Sequence, residues 1–226
     1  MFFFVQNFDG ETIQGDNANH ILSTHPILGD IICLSDLFGH KWVVQIKFVH
    51  KQRRVIEVIV CESEYVTRKE FYVSYFGRNT RNILFQALLN RDYMEKFFEI
   101  LPHSGFQKAV IYSGQFSQKW SVNIERLNKI LIRSCEQSQS LYMPTIEFVQ
   151  NSVAMEMIQE IKPKVLSCKN DIRQNKNARR LMNRNYLIGP EGGFSEDEED
   201  LFEKFELELV NLGKIVYPAW LMSAVV

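Results

Sequence analysis

The segment Leu187–Glu198 constrains the fold of this chain more than any other stretch. Its apolar start runs into Gly-Pro-Glu-Gly-Gly, after which Ser195 and the glutamate three residues later form the pattern of a helix capping box. Glycine has no Cβ, so a ligand can lie directly on the main-chain groups of such a turn. The segment therefore predicts a strand, a turn large enough to hold a ligand, and a helix that begins beside Ser195.

The same glycines are also compatible with a plain tight connection between a strand and a helix. A phosphate site is disfavoured, because Gly-Lys-Ser/Thr is absent and Glu191 with the acidic run Glu196–Asp200 would repel an anion. The fuller Gly-x-Gly-x-x-Gly pattern of a dinucleotide site is absent too. If the turn holds a ligand, one with a cationic or neutral centre fits its acidic rim better.

The composition is that of an ordinary globular protein with one large domain or two small ones. The chain has 226 residues, of which 46% are hydrophobic, and a net charge of −1, so any surface that binds nucleic acid must be local. The four cysteines lie far apart in the sequence, which favours reduced thiols in the cytosol over a zinc site or disulfides. The apolar start is too short for a signal or a membrane-spanning helix and predicts a first strand.

The sequence pattern of the first third of the chain differs from that of the rest. Up to about residue 75, β-branched and aromatic runs without helical periodicity predict a small barrel with strands at Ile31–Leu34, Trp42–Val49, Val55–Cys61 and Glu70–Tyr75. Beyond Arg78, short apolar strands alternate with amphipathic helices, which predicts a mostly parallel sheet covered by helices. The predicted strands are Ile83–Leu88, Ala109–Tyr112, Ile146–Val149, Lys164–Cys168, Tyr186–Ile188 and Leu207–Leu212, and the predicted helices are Met94–Leu101, Val122–Gln137, Val153–Ile161 and Glu196–Phe205. The boundary is predicted near residues 76–82.

Two basic segments have two interpretations each. Asp171–Arg184 carries five basic residues against one acid, and Lys51–Arg54 is a basic turn between predicted strands. Loops and turns between strands often carry charges for solubility alone. The functional alternative is that these basic residues contact RNA phosphates.

Several motifs together carry a resemblance to a known family. They are Asn19-His20-Ile21 followed by Gly29-Asp30, Gln86-Ala87-Leu88, Cys135-Glu136-Gln137-Ser138 with Pro144, the Gly189–Gly193 turn, and Leu212-Gly213 about twenty residues after it. In this order they resemble the 16S rRNA (uracil-N(3))-methyltransferase family, whose catalytic domains are SPOUT methyltransferases. The resemblance covers nearly the whole chain, and the glycine turn is its most specific part.

The resemblance implies an α/β fold with an all-β appendage, in which a PUA-like β-barrel at residues 1–76 docks RNA and a SPOUT trefoil-knot domain follows at 77–226. It implies S-adenosyl-L-methionine as cofactor, N3 of a uridine in 16S rRNA of the small ribosomal subunit as target, a homodimer in the cytoplasm, and neither metal nor membrane. The implied cofactor-binding residues are Leu187, Ile188, Gly189, Glu191, Gly192, Leu212, Gly213 and Val216. The candidate RNA-binding residues are His20, Arg53, Arg54 and Arg91. No catalytic residue is assigned.

Departures from the family pattern support an alternative. Pro218 and Trp220 stand where relatives carry arginine and glutamate, and Ser223–Val226 is too short to complete the last helix of a knot. Four residues do not form a stable helix alone, so this end is expected to expose apolar surface. The alternative is a catalytically impaired or truncated homologue that retains the fold and the binding of cofactor or RNA.

Overall fold

The computed structural model describes residues 1–77, 82–167, 185–212 and 216–226. It divides the chain into two compact units. The first comprises Met1–Gly77 together with Ile132–Met143, and the second comprises Arg78–Leu131 and Pro144–Val226. The first unit thus takes up a segment that the predicted division at residue 76 places in the second domain.

The first unit is built on a mixed sheet of five strands in the order β1-β3-β4-β5-β2. The strands are β1 (Phe2–Phe4), β2 (Thr12–Gln14), β3 (Ile31–Ser35), β4 (His40–His50) and β5 (Val55–Tyr65). β1 runs parallel to β3, and the other neighbours are antiparallel. Alternate residues of β3 and β4, such as Leu34, Val44 and Ile46, are buried in its core, as expected for a sheet with one covered face.

Two helices in this unit correct the sequence analysis, which placed no helix before residue 75. They are α1 (Gly15–Leu22) and α2 (Arg68–Phe76), and α2 replaces the predicted strand Glu70–Tyr75. The physical reason is a capping box: the Thr67 hydroxyl accepts the Glu70 N–H while the Glu70 carboxylate accepts the Thr67 N–H. Gly77 ends the helix with a φ of 61°.

A second apolar cluster in the first unit joins α2 to residues far along the chain. Phe71 and Tyr72 pack with Leu141 and Tyr142, and all four are buried. The Tyr142 hydroxyl also donates to the Val66 carbonyl at 2.9 Å. The segment Ile132–Met143 is therefore part of the first unit's core.

The second unit contains a six-stranded sheet in which every pair is parallel, in the order β11-β9-β10-β6-β7-β8. The strands are β6 (Ile83–Ala87), β7 (Lys108–Tyr112), β8 (Thr145–Val149), β9 (Lys164–Leu166), β10 (Tyr186–Ile188) and β11 (Leu209–Val210). The helices are α3 (Arg91–Ser104), α4 (Ile124–Gln137), α5 (Asn151–Ile161), α6 (Glu196–Lys204) and α7 (Met222–Val225), and α4 ends within the first unit. The predicted parallel α/β arrangement is confirmed, with small differences at element ends.

The strand order places β10 beside β6 although about a hundred residues separate them. From β6 the chain builds outward through β7 and β8, whereas β9, β10 and β11 lie on the other side of β6. The carboxyl ends of parallel strands meet at one edge of a sheet, and ligands bind where the strand order reverses. The loops after β6 and β10 lie at such a reversal.

The last residues pack against α3. A 3-10 turn (Ala219–Leu221) leads into α7, and both contact α3. Met222 and Val226 are buried whereas Val225 is 37% exposed, so the expectation that this end exposes its apolar surface is wrong for Val226 and confirmed for Val225. The neighbouring helix supplies the packing that a four-residue helix lacks alone. Within the described ranges, no helix is long and apolar enough to cross a membrane.

Candidate functional site

The glycine turn begins where β10 ends. Leu187 and Ile188 are buried in the sheet, so only their main-chain groups can meet a ligand at this edge. Gly189 and Pro190 are buried as well, whereas Glu191 and Gly192 are exposed. The Gly193 N–H donates to the Pro190 carbonyl at 3.0 Å and closes the turn.

Two of the glycines are closely approached by aromatic side chains. A Cβ on Gly189 would lie 3.1 Å from the Phe194 ring, and a Cβ on Gly192 would lie 3.2 Å from Cβ of Phe116. Gly193 has a φ of 78°, in the left-handed region that favours glycine. The turn therefore needs glycine for close packing at two positions and for backbone conformation at a third.

Gln86 lies beside the turn, at the end of β6. Its side-chain N–H group donates to the Ala87 carbonyl at 2.9 Å and to the Gly189 carbonyl at 3.3 Å. Its Oε1 atom is buried and has no hydrogen-bond partner among the described residues. An unpaired buried acceptor costs free energy, so a ligand with an N–H or O–H group is expected to stabilise it.

Glu191 connects the turn to the loop after β6. Its Oε1 atom accepts the Asn90 N–H at 2.8 Å, and the Asn90 side chain accepts the Tyr93 N–H at the start of α3. The carboxylate thus has a structural role, and its backbone partner belongs to a neighbouring loop rather than to its own turn. Arg91 follows at this edge with its side chain 61% exposed and an ion pair to Glu95 at 3.6 Å.

The capping box predicted at Ser195 is confirmed. The Ser195 hydroxyl accepts the Glu198 N–H at 3.2 Å, and the Glu198 carboxylate accepts the Ser195 N–H at 2.9 Å. Glu198 is buried and also accepts the Gln115 N–H at 3.1 Å. Burial raises the pKa of the nearby Tyr112 hydroxyl well above its ordinary value, and the negative charge of Glu198 adds to this shift.

The second predicted loop is described in part. Leu212 follows β11 and is half-buried, Val216 is 72% exposed, and Gly213 lies outside the described residues. β11 and β10 flank β9 in the same parallel sheet, so Leu212 lies at the same edge as the glycine turn, two strands away.

The other candidate RNA-binding residues belong to the first unit. His20 lies 3.3 Å from the Glu136 carboxylate and packs edge-on against Phe3, so this histidine has structural contacts within the first unit. Arg53 and Arg54 are exposed in the turn between β4 and β5. The basic segment Asp171–Arg184 lies outside the described residues.

Several residues at this edge were missed by the sequence analysis as site residues. They are Asn90, Gln115, Phe116 and Glu198. Glu198 was predicted only as part of a helix cap, and Gln86 was named only as a match to the family pattern. A glutamine within an apolar strand is a usable signal for Gln86, but no local pattern marks Phe116. In the part of the chain that the structure describes, no cluster of His, Cys, Asp and Glu could hold a metal ion.

A parallel sheet covered by helices, with a glycine turn where the strand order reverses, defines an α/β domain with a candidate ligand site. Residues 78–216 of the chain match the family model of the RNA methyltransferase domain. The match covers more than half of the chain, which therefore belongs to the RNA methyltransferase domain family.

Sequence relatives have more specific names. The chain is similar to ribosomal RNA small subunit methyltransferase E of Helicobacter pylori strain J99, with 29% identity over 143 residues, or 61% of each chain. The protein of the same name from H. pylori strain 26695 is 31% identical over 128 residues, which is 54% of each chain. The aligned region thus spans less than two thirds of the length of these relatives.

Solved structures support the fold over almost the full chain. A ribosomal RNA small subunit methyltransferase E from Neisseria gonorrhoeae bound to S-adenosyl methionine superimposes with a TM-score of 0.78 at 17% identity, covering 99% of this chain and 93% of that one. A methyltransferase from Legionella pneumophila in complex with the same cofactor superimposes with a TM-score of 0.76 at 17% identity, covering 99% of this chain and 93% of that one. At these identities the likeness establishes the α/β fold, with its mixed sheet and its parallel sheet.

Proposed function

We propose that this protein transfers a methyl group from S-adenosyl-L-methionine to N3 of a uridine in 16S rRNA of the small ribosomal subunit. The observation that carries the proposal is the glycine turn at the edge of the sheet between β10 and β6, inside the region that matches the RNA methyltransferase domain. The names of the relatives support the rRNA substrate, and the choice of N3 rests on the family resemblance.

The described half of the site fits this cofactor. Gly192 is exposed and, without a Cβ, lets a ligand approach the main chain, and the buried Oε1 of Gln86 can accept a hydrogen bond from an amino or hydroxyl group. The sulfonium, which supplies the activated methyl group, is positive and suits the acidic rim around Glu191. In the proposal, main-chain groups of Leu187, Ile188, Gly189 and Gly192 hold the cofactor, Glu191 braces their turn, and Leu212, Gly213 and Val216 enclose it from the second loop.

N3 of uridine must lose a proton and is inaccessible in a paired helix, so the base must reach the site unpaired or flipped. The Glu191 carboxylate already accepts the Asn90 N–H, and we assign no catalytic base. Arg91, exposed at the start of α3, is placed to contact an RNA phosphate that approaches this edge.

The remaining parts of the proposal concern the whole molecule. The first unit acts as a PUA-like, RNA-docking barrel with His20, Arg53 and Arg54 as contacts. The loops after β10 and β11 form a trefoil knot, and the protein acts as a homodimer in the cytoplasm. The mixed sheet of the first unit and the exposure of both arginines in one hairpin turn support the docking role of that unit, and the knot, the homodimer and the cytoplasmic location rest on the family resemblance.

The direct test uses small ribosomal subunits that lack the modification, together with cofactor labelled in the methyl group. We expect label to enter 16S rRNA and, after digestion, to be found in 3-methyluridine. Subunits that already carry the modification are the matched control and should take up none. If the chain binds cofactor but leaves unmodified subunits unlabelled, the proposed reaction is wrong.

A second candidate function is a homologue that binds cofactor or RNA without catalysis. One observation favours it: Trp220, in the place of the family's glutamate, is held against α3, with its ring 6.5 Å from that of Tyr93 and 5.3 Å from the Lys96 ammonium. Calorimetry with S-adenosylhomocysteine separates the candidates when combined with the transfer assay. Binding without transfer supports the second.

A further inference from the structure

The carboxylate of Glu198 is shared between two loops. One oxygen, Oε2, accepts the Ser195 N–H at 2.9 Å and completes the cap of α6. The other oxygen, Oε1, accepts the Gln115 N–H at 3.1 Å, although Gln115 follows β7 and lies 83 positions away in sequence. Glu198 is only 4% exposed, so its carboxylate is largely shielded from water, although Gln115 itself is exposed. An N-terminal cap needs only the first of them.

The loop that receives the second hydrogen bond is a small turn with its own internal contacts. The Gly114 N–H donates to the Ser117 hydroxyl at 3.0 Å, and the Ser117 N–H donates to the Gly114 carbonyl at 3.1 Å. A Cβ on Gly114 would lie 3.0 Å from Oε1 of Glu198, so a larger residue would push the carboxylate away. The turn 114–117 is thus shaped to receive this carboxylate.

Phe116 lies within this turn and against the glycine loop. A Cβ on Gly192 would lie 3.2 Å from its Cβ and 3.8 Å from its Cγ, which places the phenylalanine over the exposed glycine. Phe116 is still 51% exposed. An aromatic ring of this kind offers an apolar wall to a ligand on the glycine loop.

We propose that Glu198 is a positioning residue: its hydrogen bond to Gln115 holds the turn 114–117 so that Phe116 forms one wall of the cofactor site. The inference rests on the proposed function, because it assigns the ligand of the glycine loop as S-adenosyl-L-methionine. In this arrangement the affinity for cofactor depends on the Glu198 carboxylate, which acts through Gln115 and Phe116 and does not itself contact the ligand.

The test compares Glu198→Ala with Ser195→Ala in the full chain. Both changes remove half of the capping box, but only the first removes the hydrogen bond to Gln115. Hydrogen bonds to charged groups are stronger than those between neutral groups. Because this one holds the wall of the site, its loss should weaken binding of S-adenosylhomocysteine about tenfold, measured by calorimetry. Ser195→Ala should bind within about twofold of the unmutated chain. Glu198→Gln, which can keep one acceptor, should fall between them.

Hydrogen exchange provides the second measurement. The Gln115 amide should exchange faster in Glu198→Ala than in Ser195→Ala, while amides of β6 remain unchanged. Equal affinities of the two variants, or an unchanged exchange rate at Gln115, would overturn the inference. If the unmutated chain binds no cofactor, the proposed function fails and the assignment of Phe116 as a wall of the cofactor site fails with it. The exchange rate at Gln115 still decides whether Glu198 holds the turn.

Discussion

At the scale of single residues, the candidate site is built from glycines and from polar side chains that bridge loops. Glycine is required where another segment approaches closely, as Phe116 approaches Gly192. Gln86, Glu191 and Glu198 each bond to the main chain of a different loop. Because these hydrogen bonds fix the loops relative to one another, the site is expected to be largely formed before ligand binds.

Gly192→Val is expected to abolish binding of S-adenosylhomocysteine while the chain stays folded. The added Cβ would lie 3.2 Å from Phe116, and the branched side chain would occupy the exposed face of the turn. Calorimetry measures the affinity, and circular dichroism checks the fold. Gly192→Ala is the graded control and should lose less affinity. Unchanged affinity in the valine variant would show that this turn does not hold the cofactor.

At the scale of elements, helix ends follow local chemistry closely. Capping boxes begin α2 and α6, and the Asn90 side chain begins α3. The mistaken strand at Glu70–Tyr75 illustrates the same rule, since its aromatic residues are typical of strands but the Thr67 cap starts a helix. Thr67 followed by Glu70 three residues later is the local pattern that predicts α2.

An ion pair between Arg126 and Glu95 joins α4 to α3. Arg126 donates two hydrogen bonds to the Glu95 carboxylate, at 2.6 and 2.8 Å, and these contacts are the main cause that lowers the pKa of Glu95. We expect Arg126→Gln to raise the pKa of Glu95 toward its ordinary value, measured by NMR titration of the side-chain carboxyl. Arg133→Gln, at an exposed position on α4, should leave the titration unchanged.

The direction of the pH effect follows from the lowered pKa. A carboxylate with a depressed pKa in the folded state stabilises the fold above its ordinary pKa, and this contribution is lost as the pH falls through the lowered value. The free energy of unfolding of the Arg126→Gln variant should therefore depend less on pH in the acidic range than that of the unmutated chain. The same titration midpoint for Glu95 in both chains would contradict the assigned cause.

At the scale of the whole molecule, the first unit is discontinuous in sequence. Its second core cluster needs Leu141 and Tyr142, which are 2% and 4% exposed, to cover Phe71 and Tyr72 on α2. Burial of each such side chain stabilises a fold by about 2 kcal/mol. A chain that ends after α2 would therefore expose the aromatic face of this helix.

A fragment of residues 1–77 is expected to be unstable, and joining residues 132–143 to it by a flexible linker should restore a cooperative fold. Amide dispersion in NMR spectra and thermal unfolding measure the difference. The same joined fragment with Leu141→Ser and Tyr142→Ser is the control and should behave like 1–77 alone. An equally high unfolding midpoint for 1–77 alone would show that the cluster is dispensable.

Much of the fold was predictable because it depends on short-range patterns. Apolar runs located the strands of the second unit, and β10 was predicted at Tyr186–Ile188, where the structure has it. The glycine turn and the Ser195 cap were visible as well, because each acts over a few neighbouring residues. The discontinuity of the first unit was not predicted, since no local signal shows that Leu141 and Tyr142 cover α2.

The sequence by itself determined the type and order of most elements, the glycine turn and the resemblance to a methyltransferase family. Only the tertiary structure decided which groups meet at the site: Gln86 with Gly189, Asn90 with Glu191, and Gln115 with Glu198, at separations of 103, 101 and 83 positions. The physical reason is that helix caps and turns are governed by neighbours three or four positions away. Contacts between loops depend instead on the order in which parallel strands assemble, which brings distant segments to one edge of the sheet.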